Sequence, residues 1–255
     1  MTPIPCQSLG NKFLLFDEES TPEPGWTSLA KKLCPKHNLD GILVLRAPAI
    51  IMFNTDGSDG QLCLNGARCA ANYLYKYHNY PNQFELTMGE KTITNTIEHK
   101  NETITITQKI PTGAYLGEKR IAANKRDFLG HIVDIGNPHF IVFEQTDRKW
   151  LEHYGRSIEQ HKAFPNKTNV EFIWPHKTKK NAYHILVYER GCGVTQACSS
   201  AAAAVTQLLR KKKRVRLNEP VNLCMLGGVL TGLITKEQQI SLCVTYAPDN
   251  MAEVP

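Results

Sequence analysis

The sequence contains eight cysteines, and two of them, Cys63 and Cys198, lie where a thiol gains chemical reactivity. Cys63 begins a segment of helical periodicity that runs to Tyr77, and Cys198 begins a second that runs to Leu209. Unpaired backbone N–H groups and the positive end of the helix dipole stabilise a thiolate, so this position predicts a thiol pKa below the ordinary value of about 8.5. The same N–H groups can bind a substrate carboxylate. These two thiols are therefore the candidate reactive groups.

Two such thiols indicate a specific proton transfer if they face one ligand. A thiolate would remove the proton from the α-carbon of an amino acid, and the opposing thiol would deliver a proton to the other face, which inverts the configuration. The alternative for a single helix-terminal cysteine is a structural role. A zinc site is a weaker alternative, because Cys63 and Cys69, like Cys192 and Cys198, are six residues apart. Zinc ligand pairs usually lie about two to four residues apart.

The composition is that of a globular protein with an ordinary core, since 42% of the 255 residues are hydrophobic and 21% are charged. No apolar run reaches the roughly 18 residues that span a bilayer, so no membrane partner is expected. Met1–Cys6 lacks the basic start and apolar stretch of a secretory signal, which predicts a cytoplasmic location. In that compartment the cysteines do not indicate disulfides, and Cys34, Cys224 and Cys243, which lie in apolar patterns, are predicted to be buried thiols.

The net charge of +6 includes two basic clusters, Lys177/Lys179/Lys180 and Arg210 through Arg214 with Arg216 beyond. The second cluster directly follows a predicted helix, where cations complement the negative helix end. No aromatic residues are interleaved with it as a stacking platform for bases. Nucleic-acid binding is therefore not expected. A homodimer is a separate expectation.

The pattern of apolar residues predicts strands interrupted by a few helices. The predicted strands are 13–17, 41–47, 50–54, 131–135, 140–143, 183–188, 221–225, 229–234 and 240–246, and residues 91–108 are predicted to form a β-hairpin. A further helix is predicted from Thr27 or Ser28 through Leu33, ending near Pro35. Each half of the chain contains a strand, a glycine-bearing loop, a cysteine and an alanine-rich helix. Such duplication predicts two similar domains with a boundary near residues 112–120 and a ligand cleft between them.

Two segments of the sequence resemble motifs of the diaminopimelate epimerase family. The first is Asn54-Thr55-Asp56-Gly57-Ser58, followed after four residues by Cys63-Leu64-Asn65-Gly66-Ala67-Arg68-Cys69. The second is Glu189-Arg190-Gly191-Cys192-Gly193-Val194-Thr195-Gln196-Ala197-Cys198. Gly10-Asn11, Gly136-Asn137-Pro138-His139 and Asn169 match in the same order, so the resemblance runs from about residue 8 to at least residue 245.

The resemblance implies an α+β fold of two similar domains, each a mixed, largely antiparallel β-sheet wrapped around a central helix, with the active site in the cleft between them. The N-terminal domain would span residues 1–115 and the C-terminal domain residues 116–239, and the strand within 240–255 would return to the first domain. The resemblance also implies an epimerase that uses no cofactor, neither pyridoxal phosphate nor a metal. Its partner would be a small amino-acid substrate, LL-diaminopimelate, which it converts to meso-diaminopimelate for lysine and peptidoglycan synthesis.

By the same resemblance, Cys63 and Cys198 are the catalytic residues. The predicted substrate-binding residues are Asn11, Asn54, Leu64, Asn65, Asn137, Asn169, Glu189, Arg190, Ser199 and Ser200. The Arg190 guanidinium suits a carboxylate at the far end of the substrate, and Glu189 suits the ammonium group beside it. The alternative for each asparagine is the satisfaction of local backbone groups in a turn.

The sequence departs from the family pattern beside both cysteines. Leu64 stands where the family has glycine, Ser199-Ser200-Ala201 replaces Gly-Thr-Gly or Gly-Ser-Gly, and Val194 replaces an acidic residue. Because glycine permits close approach of the backbone, these changes suggest a reshaped carboxylate pocket with altered specificity or rate. The alternative is a related racemase or epimerase that acts on another amino acid. Asn65 differs from the Cys-Gly-His pattern of the proline racemase branch. A binding protein without catalysis and a zinc-binding structural protein are the remaining alternatives.

Overall fold

The computed structural model describes residues 3–18, 25–60 and 62–246. The chain forms two compact units, the first drawn from Met1–Ile110 and Cys243–Pro255 and the second from Pro111–Leu242. Both units combine a mixed, largely antiparallel set of strands with helices, so the predicted α+β class is confirmed. None of the helices described in these ranges is long and apolar enough to cross a membrane.

The first unit is built from seven strands, two helices and the end of a late strand. In chain order they are β1 (Ile4–Ser8), β2 (Asn11–Asp17), α1 (Trp26–His37), β3 (Gly41–Arg46), β4 (Ala49–Asn54), α2 (Leu64–Tyr77), β5 (Gln83–Met88), β6 (Lys91–Lys100) and β7 (Thr103–Pro111). The strands lie in chain order in the sheet, and the later residues of β16 (Gln239–Tyr246) continue it after β7.

The second unit follows the same principle with one additional strand at its start. In chain order its elements are β8 (Ala114–Ala123), β9 (Arg126–Asp134), β10 (Pro138–Phe143), α3 (Arg148–Glu159), β11 (Asn169–Pro175), β12 (Ala182–Glu189), β13 (Gly193–Val194), α4 (Ser199–Lys211), β14 (Val221–Met225) and β15 (Gly228–Ile234). The strand order is β8-β9-β10-β11-β12-β14-β15, followed by the first residues of β16, while β13 pairs with β12.

The two units repeat one pattern of strand pairing. In the first, an antiparallel β1–β2 pair is followed by a parallel step to β3 across α1, an antiparallel β3–β4 pair and a parallel step to β5 across α2. In the second, β9–β10 is antiparallel, β11 joins in parallel across α3, β11–β12 is antiparallel and β14 joins in parallel across α4. Parallel neighbours need a crossover connection, which the helices supply. The duplication that the sequence predicted from the matched cysteines is therefore present in the order and direction of the strands.

Each predicted reactive cysteine directly precedes the second crossover helix of its unit. α2 packs against β1 through β6, and α4 packs against β9, β10 and β15. A helix covered on most sides must be apolar or small all around, and Ala67, Ala70 and Ala71 in α2 and Ala201–Ala204 in α4 are fully buried. The alanine content that predicted helices at these positions therefore also explains how the strands approach them closely.

Helix α1 differs from its prediction at both ends. It begins at Trp26 after Gly25, without a cap from Thr27 or Ser28, because Trp26 is buried against Phe16 with ring centroids 5.0 Å apart. It continues past Pro35 to His37 and ends at Asn38, which adopts the left-handed conformation. Proline removes one hydrogen bond, but the carbonyl that loses it belongs to the exposed residue Lys31, which water can reach.

Two of the predicted buried thiols are only half-buried. Cys34 is fully buried as expected, whereas Cys224 and Cys243 are partly exposed. Residues of a strand alternate between its faces, and Cys243 lies on the opposite face from buried Leu242 and Val244. The apolar runs around Cys224 and Cys243 therefore predicted a higher burial for these two thiols than the structure shows.

Several elements were not predicted, and α3 shows why. Only Leu151, Gly155, Ile158 and Glu159 of α3 are buried, Trp150 and Tyr154 are partly buried against the same core, and the other residues are polar. Gly155 lowers the intrinsic helix propensity, yet a Cβ there would meet the Tyr188 ring at 2.3 Å, so tertiary packing requires it. β1, β5, β8, β11 and β13 were also absent from the prediction.

Candidate active site

Cys63 is the N-cap of α2, immediately before the first turn in which it was predicted. Its sulfur accepts the backbone N–H of Gly66 at 3.4 Å, and its own N–H points to the sulfur of Met88 at 2.9 Å. The thiol is half-buried. The helix N-terminus thus supplies the donor that the sequence predicted for a thiolate.

The residues after Cys63 extend into a buried polar network. Asn65 donates its amide to the Oδ1 of Asn11, and its own Oδ1 accepts a hydrogen bond from Arg68 Nη1 at 2.9 Å. Arg68, which is fully buried, also donates to Ser8 Oγ at 3.0 Å, and this hydroxyl lies 2.7 Å from the Tyr246 hydroxyl. The structure therefore brings the predicted residues Asn11 and Asn65 together and fixes both by hydrogen bonds.

Asn54 lies in the turn that precedes Cys63. Its Nδ2 donates to Ser58 Oγ at 3.0 Å, and Ser58 in turn donates through N and Oγ to Asp56 at 2.9 and 2.5 Å. These two hydrogen bonds lower the pKa of Asp56. Gly57 has a φ of +78°, which glycine adopts without strain. The Asn-x-Asp-Gly-Ser motif therefore forms a self-contained turn.

Leu64 and Ser199, the departures next to the cysteines, occupy the first helical positions of α2 and α4. Both side chains are buried, with exposed fractions of 1% and 2%. Val194 lies in the short strand β13, opposite Tyr188 of β12.

Cys198 repeats the arrangement of Cys63 at the N-terminus of α4. Its sulfur accepts the N–H of Ala201 at 3.4 Å, and its N–H points to the sulfur of Met225 at 3.4 Å. In addition, the Ser200 hydroxyl lies 3.1 Å from the sulfur, and the Asn137 amide donates to that hydroxyl at 3.3 Å. Three predicted residues of the second unit are thus hydrogen-bonded in series.

The expected low pKa is not found at Cys198. Burial raises the pKa of this thiol well above its ordinary value, and the negative charge of Glu189 raises it further. The hydrogen bonds from Ser200 and Ala201 act in the opposite direction but are outweighed. The position at a helix N-terminus alone therefore predicted the wrong direction for the pKa shift of Cys198.

Glu189 and Arg190 lie at the end of β12, and both are half-buried. Glu189 accepts a hydrogen bond from Thr195 Oγ1 at 2.5 Å, which fixes the position of its carboxylate. Asn169 uses both ends of its amide on the backbone, accepting the N–H of Arg190 at 2.9 Å and donating to the Pro138 carbonyl at 3.0 Å. Asn169 thus orients the segment that carries Arg190.

The two units therefore present their cysteines in the same way. Each sulfur caps the second crossover helix, accepts a backbone N–H three residues later, and has a methionine sulfur facing its own N–H. Within residues 3–18, 25–60 and 62–246, no group of three or more His, Cys, Asp and Glu side chains could hold a metal ion.

Comparison with known proteins decides the family. The diaminopimelate epimerase of Carboxydothermus hydrogenoformans is 33% identical over 253 residues, which cover 89% of this chain and 89% of that protein. The diaminopimelate epimerase of Elusimicrobium minutum is 32% identical over 257 residues, again 89% of each chain. This chain belongs to the diaminopimelate epimerase family. A sequence profile described as diaminopimelate epimerase matches residues 131–249.

Membership of the diaminopimelate epimerase family confirms the predicted class, an amino-acid epimerase that acts without pyridoxal phosphate. A solved structure of a hydroxyproline epimerase from Agrobacterium vitis matches with a TM-score of 0.71, covering 96% of this chain and 90% of that one. At 11% identity, that likeness concerns the fold alone.

The sequence did not predict a role for several residues that contact the candidate site of this diaminopimelate epimerase family member. Met88 and Met225 face the cysteine N–H groups, Thr195 binds Glu189, and a buried pair of His139 and Glu171 lies behind Asn137. His139 is distinguished in the sequence only as part of the motif Gly136-Asn137-Pro138-His139. Nothing in the pattern around Glu171 distinguishes it from an ordinary strand residue.

Proposed function

We propose that this chain converts LL-diaminopimelate to meso-diaminopimelate, with Cys63 and Cys198 as the two proton-transferring groups. The single observation that carries the proposal is the matched setting of the two cysteines, each an N-cap whose sulfur accepts a backbone N–H at 3.4 Å. A carbon is inverted when one group removes its proton and a second group returns a proton to the other face. The repeated cap supplies two thiols for these roles.

Binding of the α-carboxylate is assigned to the N-termini of α2 and α4. The first N–H groups of a helix have no partner within the helix, and together with the helix dipole they favour an anion. Their positive field also favours the negative charge that develops on the carboxylate when the α-proton leaves. Leu64, Asn65, Ser199 and Ser200 follow the cysteines directly and are assigned to this carboxylate pocket.

The far end of diaminopimelate is a second amino-acid group, and Glu189 and Arg190 suit its opposite charges. Arg190 can bind a carboxylate through two N–H groups, and Glu189 can accept from an ammonium group. The hydrogen bonds from Thr195 to Glu189 and from Arg190 N to Asn169 hold both residues in place before a ligand arrives. Asn11, Asn54, Asn137 and Asn169 complete the proposed binding set.

The test is proton exchange in deuterated water. The reduced protein is incubated with LL-diaminopimelate without pyridoxal phosphate, and both stereochemistry and α-deuterium are followed. We expect Cys63→Ala and Cys198→Ala each to lower the rate of inversion by about 10² to 10⁴-fold. Cys192→Ala is the matched control, because Cys192 is exposed and lies in the same segment as Cys198. Exchange that persists in both active-site variants would exclude the mechanism.

A second test measures whether the two thiols reach one carbon. Treatment with a thiol oxidant should inactivate the enzyme by joining Cys63 and Cys198, and a reductant should restore the activity. Peptide mass spectrometry identifies which cysteines have paired. Unchanged activity with fully oxidised thiols would contradict the proposed proximity.

Another amino-acid substrate is the second candidate, and the departures at Leu64 and Ser199 favour it. A panel of amino acids in the same exchange assay separates the two, because diaminopimelate should be preferred over substrates that lack a charged far end. Exchange with none of them would favour a binding protein without catalysis. A cytoplasmic location and a homodimer remain predictions.

A further inference from the structure

The connection between α3 and β11 supplies hydrogen-bond acceptors for the turn that carries Arg190. Glu159, the last residue of α3, accepts the N–H of Gly191 through Oε1 at 2.8 Å. Asn169, the first residue of β11, accepts the N–H of Arg190 at 2.9 Å. Between them in the sequence, the Asn166 carbonyl accepts a hydrogen bond from Arg190 Nη1 at 3.4 Å. One short stretch of chain therefore binds both the backbone of the turn and the guanidinium group of Arg190.

The turn from Glu189 to Cys192 depends on this support. It is closed by the N–H of Cys192, which donates to the Glu189 carbonyl at 3.1 Å. Gly191, its third residue, is exposed and has a φ of +79°, and a Cβ there would meet no atom within 4 Å. Because glycine has a large conformational freedom and packing restrains this one little, the hydrogen bond to Glu159 supplies the restraint.

Helix α3 alone does not explain a carboxylate at position 159. The negative end of the helix dipole disfavours an anion at the C-terminus of a helix. Glu159 is also only 3% exposed, and a buried carboxylate is costly unless it is hydrogen-bonded. Burial, followed by the negative charge of Glu159, raises the pKa of Tyr188, so the carboxylate lies close to the strand that leads into the turn. Its hydrogen bond to Gly191 is the contact that gives this buried charge a purpose.

We propose that Glu159 is a positioning residue that holds the turn 189–192 in the conformation in which Arg190 binds the carboxylate at the far end of the substrate. Glu159 acts through the Gly191 N–H and does not contact the substrate. A backbone fixed on both sides of Arg190 leaves less to be ordered when the carboxylate binds, which favours affinity. The inference rests on the proposed role of Arg190 in binding diaminopimelate.

The first experiment follows the turn without a ligand. Hydrogen exchange of the Gly191 amide is measured by NMR on the ¹⁵N-labelled wild type. Although Gly191 is exposed, its amide should exchange about 100-fold more slowly than that of an unstructured glycine, because the N–H is bound to Glu159. An unprotected Gly191 amide would overturn the proposal, and this result requires no variant to fold.

The same spectra of variants show whether Glu159 orders the turn. In Glu159→Ala, the order parameters of the Gly191 N–H and the Arg190 Nε–H should fall below about 0.6, the range of flexible groups. Glu159→Gln should keep the wild-type values, because its amide oxygen still accepts the N–H. Glu152→Ala, which removes an exposed glutamate of the same helix, is the control. Unchanged order at Gly191 and Arg190 in Glu159→Ala would overturn the proposal.

The second experiment measures the binding of LL-diaminopimelate by calorimetry in a Cys63→Ala background, so that the ligand is not inverted. Glu159→Ala should raise the Kd by about tenfold, and Glu159→Gln by less than about twofold. In Arg190→Gln, Glu159→Ala should have little further effect, because it acts through Arg190. Equal losses with and without Arg190 would indicate a general effect on the fold and would overturn the proposal.

The two experiments separate this inference from the proposed function. An absence of binding in the Cys63→Ala protein would count against diaminopimelate as the ligand. The exchange and order of the turn are measured without any ligand, so they decide whether Glu159 holds Arg190 in place.

Discussion

Gly66 provides a direct test of how the first unit places its cysteine. A Cβ at this position would lie 2.6 Å from Leu43 Cδ2 and 3.4 Å from Cys63 Sγ. The equivalent residue in the second unit is Ala201, which already has a Cβ. We therefore predict that Gly66→Ala lowers both stability and activity, although alanine is the better helix former.

The magnitude follows from two opposing effects. Carbon atoms in contact lie about 3.5 to 4.0 Å apart, so the new methyl group would approach Leu43 by roughly 1 Å too much. Leu43 is fully buried in β3, and overpacking of this kind costs about 1 to 3 kcal/mol. Replacing glycine by alanine within a helix returns about 1 kcal/mol. The free energy of unfolding should therefore fall by about 1 kcal/mol.

The assay is a double-mutant cycle with Leu43→Val, which removes both Cδ atoms near residue 66. Urea denaturation followed by tryptophan fluorescence should show that the double variant loses less stability than the two single variants together, by at least about 1 kcal/mol. Inversion activity should recover in the double variant, because Cys63 returns to its place. Ala201→Gly is the control, with a loss of about 1 kcal/mol from helix propensity. Additive costs in the cycle would refute the reasoning.

Three further predictions concern separate parts of the molecule. Asp147→Ala should lower the free energy of unfolding in urea by about 1 kcal/mol, because Asp147 caps α3 by accepting Trp150 N–H at 2.8 Å; Asp147→Asn should not. Burial raises the pKa of Cys34 to about 11, so stability should fall as the pH rises from about 8.5, where the unfolded thiol ionises, to about 11, and this fall should shrink in Cys34→Ala. Thr195→Val should raise KM by roughly tenfold with little change in kcat, because Glu189 loses its hydrogen-bond donor. Thr195→Ser, which keeps the hydroxyl, is the control. An unchanged KM in Thr195→Val would contradict the role of Glu189 in substrate binding.

The parts of the fold that could be predicted are those whose local pattern agrees with their tertiary setting. The segments after Cys63 and Cys198 form helices that are rich in alanine and also surrounded by strands, so propensity and packing favour the same structure. The Lys91–Gln108 hairpin likewise combines alternation with a polar turn, and it forms with Lys100 paired to Thr103.

The parts that could not be predicted depend on partners far away in the sequence. Gly155 weakens α3 locally but is required by the Tyr188 ring, and Pro35 is tolerated because its turn of α1 is exposed. Glu171 lies in an apolar strand in which only its partner on β10, His139, explains a buried carboxyl group. None of these contacts can be inferred from the spacing of neighbouring residues in the sequence.

The setting of Cys198 shows most clearly how far local reasoning extends. The sequence placed this thiol at a helix N-terminus, where the dipole favours the thiolate by about 0.3 to 1 kcal/mol, and by up to about 2 kcal/mol when partly buried. Full burial can shift a pKa by about 3 to 5 units in the opposite direction, a considerably larger free energy. The pKa of Cys198 is accordingly raised, with the nearby Glu189 adding to the effect of burial. In the proposed reaction Cys198 therefore starts as the protonated thiol, and the donors at its sulfur matter most after it has given its proton to the substrate.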